Sequence, residues 1–429
     1  MANVKFPRKE FELELGKTIT PELEEKIALF GTPVESLSDS EIELEIFPNR
    51  PDMLSMQGFL RAFKAFLGNK NSTGLKKYQI KKSKNRLNVD KSLPKEWPYA
   101  YACIVRNLSL DNKKIKDIIQ LQEKLGSTVL RNRKKGGIGL YPLEKIKFPI
   151  TFKGLPPEKI KFQPLEFPTK LTGRQILSKH PTGREYAFIC ESWKTFPVFI
   201  DKSGNFMSMP PIINSHEFGK ISESTKDVFI EATGNSPKDL KTSINIIATT
   251  LADMGGKIES IECVQQNKKK EDIPDLSPEK LSISLKNINF TLGLELTEKQ
   301  LSSLLSKMGL EYSKNSVKIP RWRSDILHEV DIAEDVAIAY GYGNFVPKIP
   351  SVSTSGSESI ESKIKSRISE LLIGLGLIGT SSYHLIKQNE AKLFSLSELE
   401  KIETLDSKTE YKILRPNLLI PTLRILSEN

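Results

Sequence analysis

Cysteine is scarce in this chain: Cys103, Cys190 and Cys263 are its only three in 429 residues. Their uneven spread supports neither a disulfide framework nor the paired spacing of a structural zinc site, and it points to a reducing, cytoplasmic setting. Long apolar runs are lacking as well. No stretch of about eighteen apolar residues offers a membrane-spanning helix, and the amino terminus, MANVKFPRKEFELELG, carries acids early and has no apolar centre of the kind a secretory leader needs. Histidine is limited to four positions, and none joins a serine or cysteine in a convincing triad, which argues against covalent catalysis. No internal repeat is visible.

What remains is ordinary globular composition, 38% hydrophobic and 27% charged. A single core rarely grows past about 250–300 residues, so this length predicts roughly three domains. The net charge of +11 is patchy. Lys76, Lys77, Lys81, Lys82, Lys84 and Arg86 form one cluster, Arg131 to Lys135 a second and Lys268 to Lys270 a third. Such patches suit nucleic acid, although lysine-rich segments serve equally well as solubilising surface.

The order of local signals predicts an α+β multidomain protein. Residues 1–92 hold an alternating strand, EIELEIF at 41–47, the turn-former PNRPD, an amphipathic helix from about Leu54 to Leu67, and a lysine-rich linker or exposed loop at 69–92. Residues 93–266 read as a mixed α/β domain punctuated by glycine and proline, closed by the helix SINIIATTLADMGG, whose glycine pair suits a carboxyl-terminal cap. Residues 275–348 read as a small domain of helix-turn-helix type. A serine-rich stretch then leads into an amphipathic helix carrying Ile360, Ile364, Ile368 and Leu372. Gly374, Gly376 and Gly379 spell the dinucleotide fingerprint G-x-G-x-x-G, but they follow a helix where that motif needs a preceding strand, so they read as capping glycines and no cofactor is expected.

The densest chemistry lies at 323–345, RSDILHEVDIAEDVAIAYGYGNF. A helix from about Glu329 to Gly341 sets Asp331, Glu334 and Asp335 on one face and Ile332, Val336, Ala339 and Tyr340 on the other, with Asp325 just upstream. Such carboxylates suit a hard cation such as Mg2+ completed by waters, and they equally complement the dipole of a helix amino terminus.

Four segments in order, FPNRPDMLSMQGFLRAF, GREYAF with FPVFIDKSGNFMSMPPIINS, FIEATG and the acidic helix, together resemble the β subunit of phenylalanyl-tRNA synthetase in its archaeal and eukaryotic form. The resemblance covers nearly the whole chain. It implies an N-terminal α/β domain at 1–92, an editing domain at 93–266, a magnesium-bearing domain at 275–348 and, at 355–429, the start of a class II synthetase-like core that stops short, as a truncated or split chain would. By the same resemblance the aminoacylation centre lies on an α subunit, and an α2β2 complex charges tRNA(Phe) with phenylalanine using ATP and Mg2+. The magnesium ligands fall on Asp325, Asp331, Glu334 and Asp335, in a site described as shared with α. An editing pocket that deacylates mischarged tyrosyl-tRNA falls on Ser208, Asn214, Glu231 and Thr233, with Glu231 accepting the phenol hydrogen bond. Asn235 and Ser236 depart from the common Thr and Asp of relatives, which would alter the pocket floor. Two other readings compete: a freestanding tyrosyl-tRNA deacylase, and a non-catalytic RNA-binding assembly protein.

Overall fold

Alternating apolar and polar residues make β1 (Ala2–Pro7) bury Ala2, Val4 and Phe6 along one face. A computed structural model describes residues 2–69, 71–349, 353–392, 401–405 and 407–429, divided between two units, Met1–Val346 and Pro347–Asn429. In the first unit, α1 (Arg8–Leu15) and α2 (Pro21–Leu29) precede β2 (Val34–Leu37) and β3 (Glu41–Ile46), and β3 pairs antiparallel with both β1 and β2. After the expected turn comes α3 (Met56–Phe66), begun by Ser55, whose hydroxyl accepts from Gly58 N. Phe6, Phe11, Phe30, Phe59 and Phe63 meet in one aromatic core beneath it.

The middle of the chain supplies β4 (Ile80–Val89), β5 (Tyr99–Arg106), α4 (Asn112–Ser127), β6 (Gly136–Pro142) and β7 (Ile150–Leu155). Next come β8 (Lys161–Phe162) and β9 (Leu171–Thr172), which pair apart from the main sheet, then α5 (Gly173–Lys179) and α6 (Pro181–Cys190). There follow β10 (Phe196–Ile200), β11 (Phe206–Met209), β12 (Ile213–Asn214), β13 (Val228–Gly234), α7 (Pro237–Asp253), β14 (Lys257–Val264) and β15 (Lys270–Ile273). Ten of these strands form one sheet in the order β12-β11-β10-β7-β4-β14-β5-β13-β6, with β15 added on β14. The long α7 packs against β5 and β13 and ends, as its sequence predicts, just before Gly255, which takes a left-handed φ of 103°.

The lysine-rich stretch at 69–92, expected as a linker or loop, instead supplies β4, a strand paired parallel with both β14 and β7. Its cations have partners far along the chain: Lys82 meets Asp272, Arg86 meets Glu262 and Lys81 meets Glu259. Each such exposed pair is worth only about 0.2–1 kcal/mol. Together with buried Leu87 and Val89, they let a basic segment lie inside a sheet.

β16 (Glu279–Ser282), α8 (Leu285–Leu292), α9 (Glu298–Lys307), β17 (Glu311–Ser313), β18 (Ser316–Ile319) and α10 (Glu329–Tyr340) complete the first unit, with β18 central in a three-stranded sheet. The second unit holds α11 (Ile360–Gly374), followed by β19 (Leu385–Lys387), α12 (Gln388–Lys392), β20 (Tyr411–Leu414) and α13 (Leu419–Glu428), and the last four share a small core of Ile386, Ala391, Ile413 and Ile420. The expected apolar stripe of α11, Ile360, Ile364, Ile368 and Leu372, is exposed throughout. α11 ends at the glycine run, where Gly376 adopts a φ of 83°.

Candidate functional site

All seven residues of β13, VFIEATG, are buried between β5 and β6. Strand alternation sends Phe229, Glu231 and Thr233 to one face, opposite Tyr141, Gly139 and Gly137 of β6 respectively. Two of those three partners have no side chain, which leaves a furrow. A methyl group at Gly139 would overlap Glu231 Oε1 and the Tyr141 hydroxyl, so the furrow exists only with glycine there.

The other wall comes from the opposite end of the sheet. β11 and β12 set Ser208 across the ladder from Asn214, and the sheet bends back so that its two ends meet. Tyr141 Oη lies 3.0 Å from Glu231 Oε1 and 3.1 Å from Asn214 Oδ1, bridging the two ends. Between them is a cavity of about 180 Å3 lined by Gln122, Arg133, Gly137, Pro211, Asn214 and Glu231, among others. A cavity of about 150 Å3 is enough to hold benzene. Arg133 is fixed at the rim, donating to the carbonyls of Pro211 and Ile212 and stacked over Tyr186.

Of the four residues expected in the editing pocket, Glu231 and Asn214 lie in this wall, Ser208 adjoins Asn214, and Thr233 faces Gly137. Two of them carry buried atoms without a hydrogen-bond partner, Glu231 Oε2 and Thr233 Oγ1, while the buried Ser208 hydroxyl is close enough to the Tyr141 phenol to oppose the rise that burial gives it. Each such atom costs about 1–3 kcal/mol that a polar ligand would recover. Burial pushes the Glu231 carboxyl up to about 8, against the opposing hydrogen bond from Tyr141. Burial, and then the charge of Glu231, raise the Tyr141 phenol. Sequence reasoning missed Tyr141, Arg133 and the glycines. The trace of Tyr141 and the glycines is the alternate small residues of GGIGLYP, and Arg133 showed only as one cation of the cluster at 131–135. Asn235 and Ser236, expected in the pocket floor, are the exposed approach and the N-cap of α7.

The acidic helix resolves differently. Its limits match expectation, but Asp335 is buried, while Glu334 is exposed and Asp331 intermediate, so the three do not share one solvent face. Arg323 is the missed residue. Its guanidinium meets Asp325 at 2.8 and 2.7 Å and Asp335 at 2.8 Å. Asp331 turns back to accept from Leu327 N and His328 N, closing a capping box, and Glu334 accepts from the Tyr342 hydroxyl at 2.6 Å. Burial raises Asp335, whereas the two-pronged contact with Arg323 outweighs burial and lowers Asp325. A magnesium ion takes several free oxygens. Here those oxygens are spent on an arginine, on backbone amides and on a phenol, and among the described residues no three His, Cys, Asp or Glu gather to hold a metal. As a four-carboxylate set within one chain they do not fit the ion.

Comparison with known proteins agrees with this architecture. The tRNA synthetase B5 domain family matches residues 281–342, the segment that contains β18 and α10. The phenylalanine–tRNA ligase beta subunit of Archaeoglobus fulgidus is 35% identical over 415 residues, covering 94% of this chain and 74% of that protein. The protein of the same name from Methanosphaera stadtmanae is 31% identical, covering 100% of this chain and 78% of its own length. A crystal structure of an N-terminal fragment of the phenylalanyl-tRNA synthetase beta subunit from Pyrococcus horikoshii aligns with a TM-score of 0.75 at 35% identity, over 79% of this chain and 99% of that fragment. Fold and relatives together define a subunit of an aminoacyl-tRNA synthetase. More narrowly, the chain belongs to the phenylalanine–tRNA ligase β-subunit family.

Proposed function

We propose that this β subunit acts with an α subunit, as α2β2, in the ATP- and Mg2+-dependent charging of tRNA(Phe), and that its own chemistry is hydrolysis of tyrosyl-tRNA(Phe) in the cavity at Glu231. The unpartnered Oε2 of Glu231 inside that cavity is the observation that carries the editing assignment. Tyrosine is phenylalanine with one added hydroxyl, and an apolar synthetic site rejects such an addition by only about a hundredfold. A second site that hydrogen-bonds the hydroxyl inverts the preference, because phenylalanine leaves its buried acceptor bare. Glu231 accepts the phenol, while Ser208 and Thr233 orient the ester and an attacking water. Water oxygen bonds to the ester carbon, the tRNA 3′-oxygen departs with a proton, and free tyrosine is released. Ser208 Oγ hydrogen-bonds to no histidine or carboxylate, so it lacks the paired base that activates a serine nucleophile.

Residues 1–92, 93–266, 275–348 and 355–429 serve in this reading as N-terminal, editing, α-facing and class II-like parts, with β4 of the first lent to the sheet of the second. No helix among the described residues is long and apolar enough to cross a membrane, and a cytoplasmic site of action is proposed. For Mg2+, the proposal narrows to Glu334 as the exposed carboxylate this chain would offer to a site completed by waters and α. The decisive experiment offers tyrosyl- and phenylalanyl-tRNA(Phe) to the protein and to Glu231→Ala. Selective loss of the tyrosyl ester is expected, slowed by about a hundredfold in the variant. Because the free carboxyl titrates at about 8, kcat/KM rises with pH through that value. Equal hydrolysis of both esters, or an unaffected variant, would sink the assignment.

A further inference from the structure

We propose that Tyr141 is a positioning residue for this site: its phenol holds one oxygen of Glu231 so that the other is aimed at the phenol of a bound tyrosyl group. The inference rests on the editing reading above, and it concerns a residue that makes no contact with the reacting ester.

Gly139 and Tyr141 are alternate residues of β6, and Gly139 is directly opposite Glu231. With no side chain at 139, the Tyr141 ring reaches back along its own strand, so that its edge and hydroxyl fill the space a Cβ at 139 would take. Packing against Phe229, its cross-strand neighbour, fixes the ring at a centroid distance of 5.8 Å. The hydroxyl thus stands 3.0 Å from Glu231 Oε1 and 3.1 Å from Asn214 Oδ1. A phenol has one proton to give, and a charged acceptor outbids a neutral one, so ionised Glu231 takes it. Oε1 is then occupied and Oε2, buried and without a partner, is the oxygen left for a ligand. One carboxylate thereby receives two phenols, one permanent and one from the substrate. Phenylalanine supplies only the first.

The groups around this carboxylate that carry or gain charge are few. Tyr141 comes from β6, Arg133 from the turn after α4 and Glu123 from α4 itself, the last two in the cavity wall. Arg133 is committed to the carbonyls of Pro211 and Ile212. The hydrogen bond from Tyr141 opposes the rise that burial imposes on Glu231. It therefore keeps the accepting form within reach near neutral pH, besides fixing its direction.

The test follows deacylation of tyrosyl- and phenylalanyl-tRNA(Phe) by the full chain with its α partner, between about pH 6 and about pH 10. In Tyr141→Phe, which keeps the ring, the inflection in kcat/KM moves up by about one pH unit and the tyrosyl preference near neutrality falls about tenfold. Placing 3,5-difluorotyrosine at 141, a stronger donor of the same shape, moves the inflection down. The opposite signs keep the proposal testable even if the phenylalanine variant folds poorly, which a melting curve would report. A purely structural role for Tyr141 would lower the rate at every pH without moving the inflection, and an inflection unmoved by either change overturns the proposal while leaving editing intact. Failure of the unaltered protein to deacylate tyrosyl-tRNA overturns the editing reading itself, and this inference with it.

Discussion

Glu231 and Asp117 are both carboxylates held out of water, and Glu231 lines the cavity described above. Asp117, on α4, has both oxygens buried, and burial pushes it up to about 7 against an opposing backbone hydrogen bond from Met56. A carboxyl whose folded value lies above its ordinary value of about 3.9 binds its proton more tightly when folded. Its stabilising effect is complete below about pH 4, is lost as pH rises through 7, and stays lost above that. Asp117→Asn removes the ionisable group while keeping the shape. We expect the variant to be about as stable as the parent near pH 4, but more stable near pH 8 by a few kcal/mol, as read from urea denaturation at the two pH values. A constant difference across pH would place the titration elsewhere. Glu231 shares this sign over a higher window that ends at about 8. There, in the proposed editing role, the instability serves ligand binding. Nothing local in the sequence separates these two acids. Asp117 sits in a helix rich in lysine, and Glu231 became a candidate only because FIEATG resembles a known motif.

Elements were legible where their signals are local. β3 came from strict alternation, α3 from its apolar stripe after a proline turn, and α10 ended one residue before Gly341, as its glycine predicts. β4 was not legible, because lysines read as solvent-exposed until their acids on β14 and β15 appear about 175 or more residues later in the chain. The pocket strand β6 was half legible. GGIGLYP looks like loop punctuation, yet here the glycines form the inner surface of a strand, and that choice is visible only once Glu231 and Tyr141 lie against them. The element-scale prediction follows from the same crowding. Gly139→Ala forces the Tyr141 ring or the Glu231 carboxylate aside, so tyrosyl-tRNA deacylation should fall by about a hundredfold or more, with a stability loss of about 1–3 kcal/mol from overpacking. Gly255→Ala, whose new methyl meets open space but whose φ of 103° disfavours it, should lose similar stability without losing deacylation. Matching losses of activity in the two variants would show that stability alone was being measured.

At the scale of the whole molecule, two distant motifs of the same form meet. Arg50 grips Asp52 through two hydrogen bonds of 2.9 Å in the turn before α3, and Arg323 grips Asp325 in the same two-pronged way before α10, adding Asp335. The charges of Arg50 and Asp52 act on the second group, so residues nearly three hundred apart in sequence share one buried ionic cluster within the first unit. This is why acids that read as metal ligands in sequence have another occupation in the fold. It also predicts how they differ on substitution. Arg323→Met leaves Asp325 and Asp335 buried without their cation and should cost about 3–5 kcal/mol in chemical denaturation. Glu334→Ala, on an exposed carboxylate with a single phenol partner, should change stability by no more than about 0.5 kcal/mol. If the cation site is shared with α, the same Glu334 variant should nonetheless raise the Mg2+ concentration needed to assemble the complex, as read by sedimentation. An Arg323 variant as stable as the parent would mean that the cluster contributes little to the fold, and would return Asp325 and Asp335 to consideration as ligands.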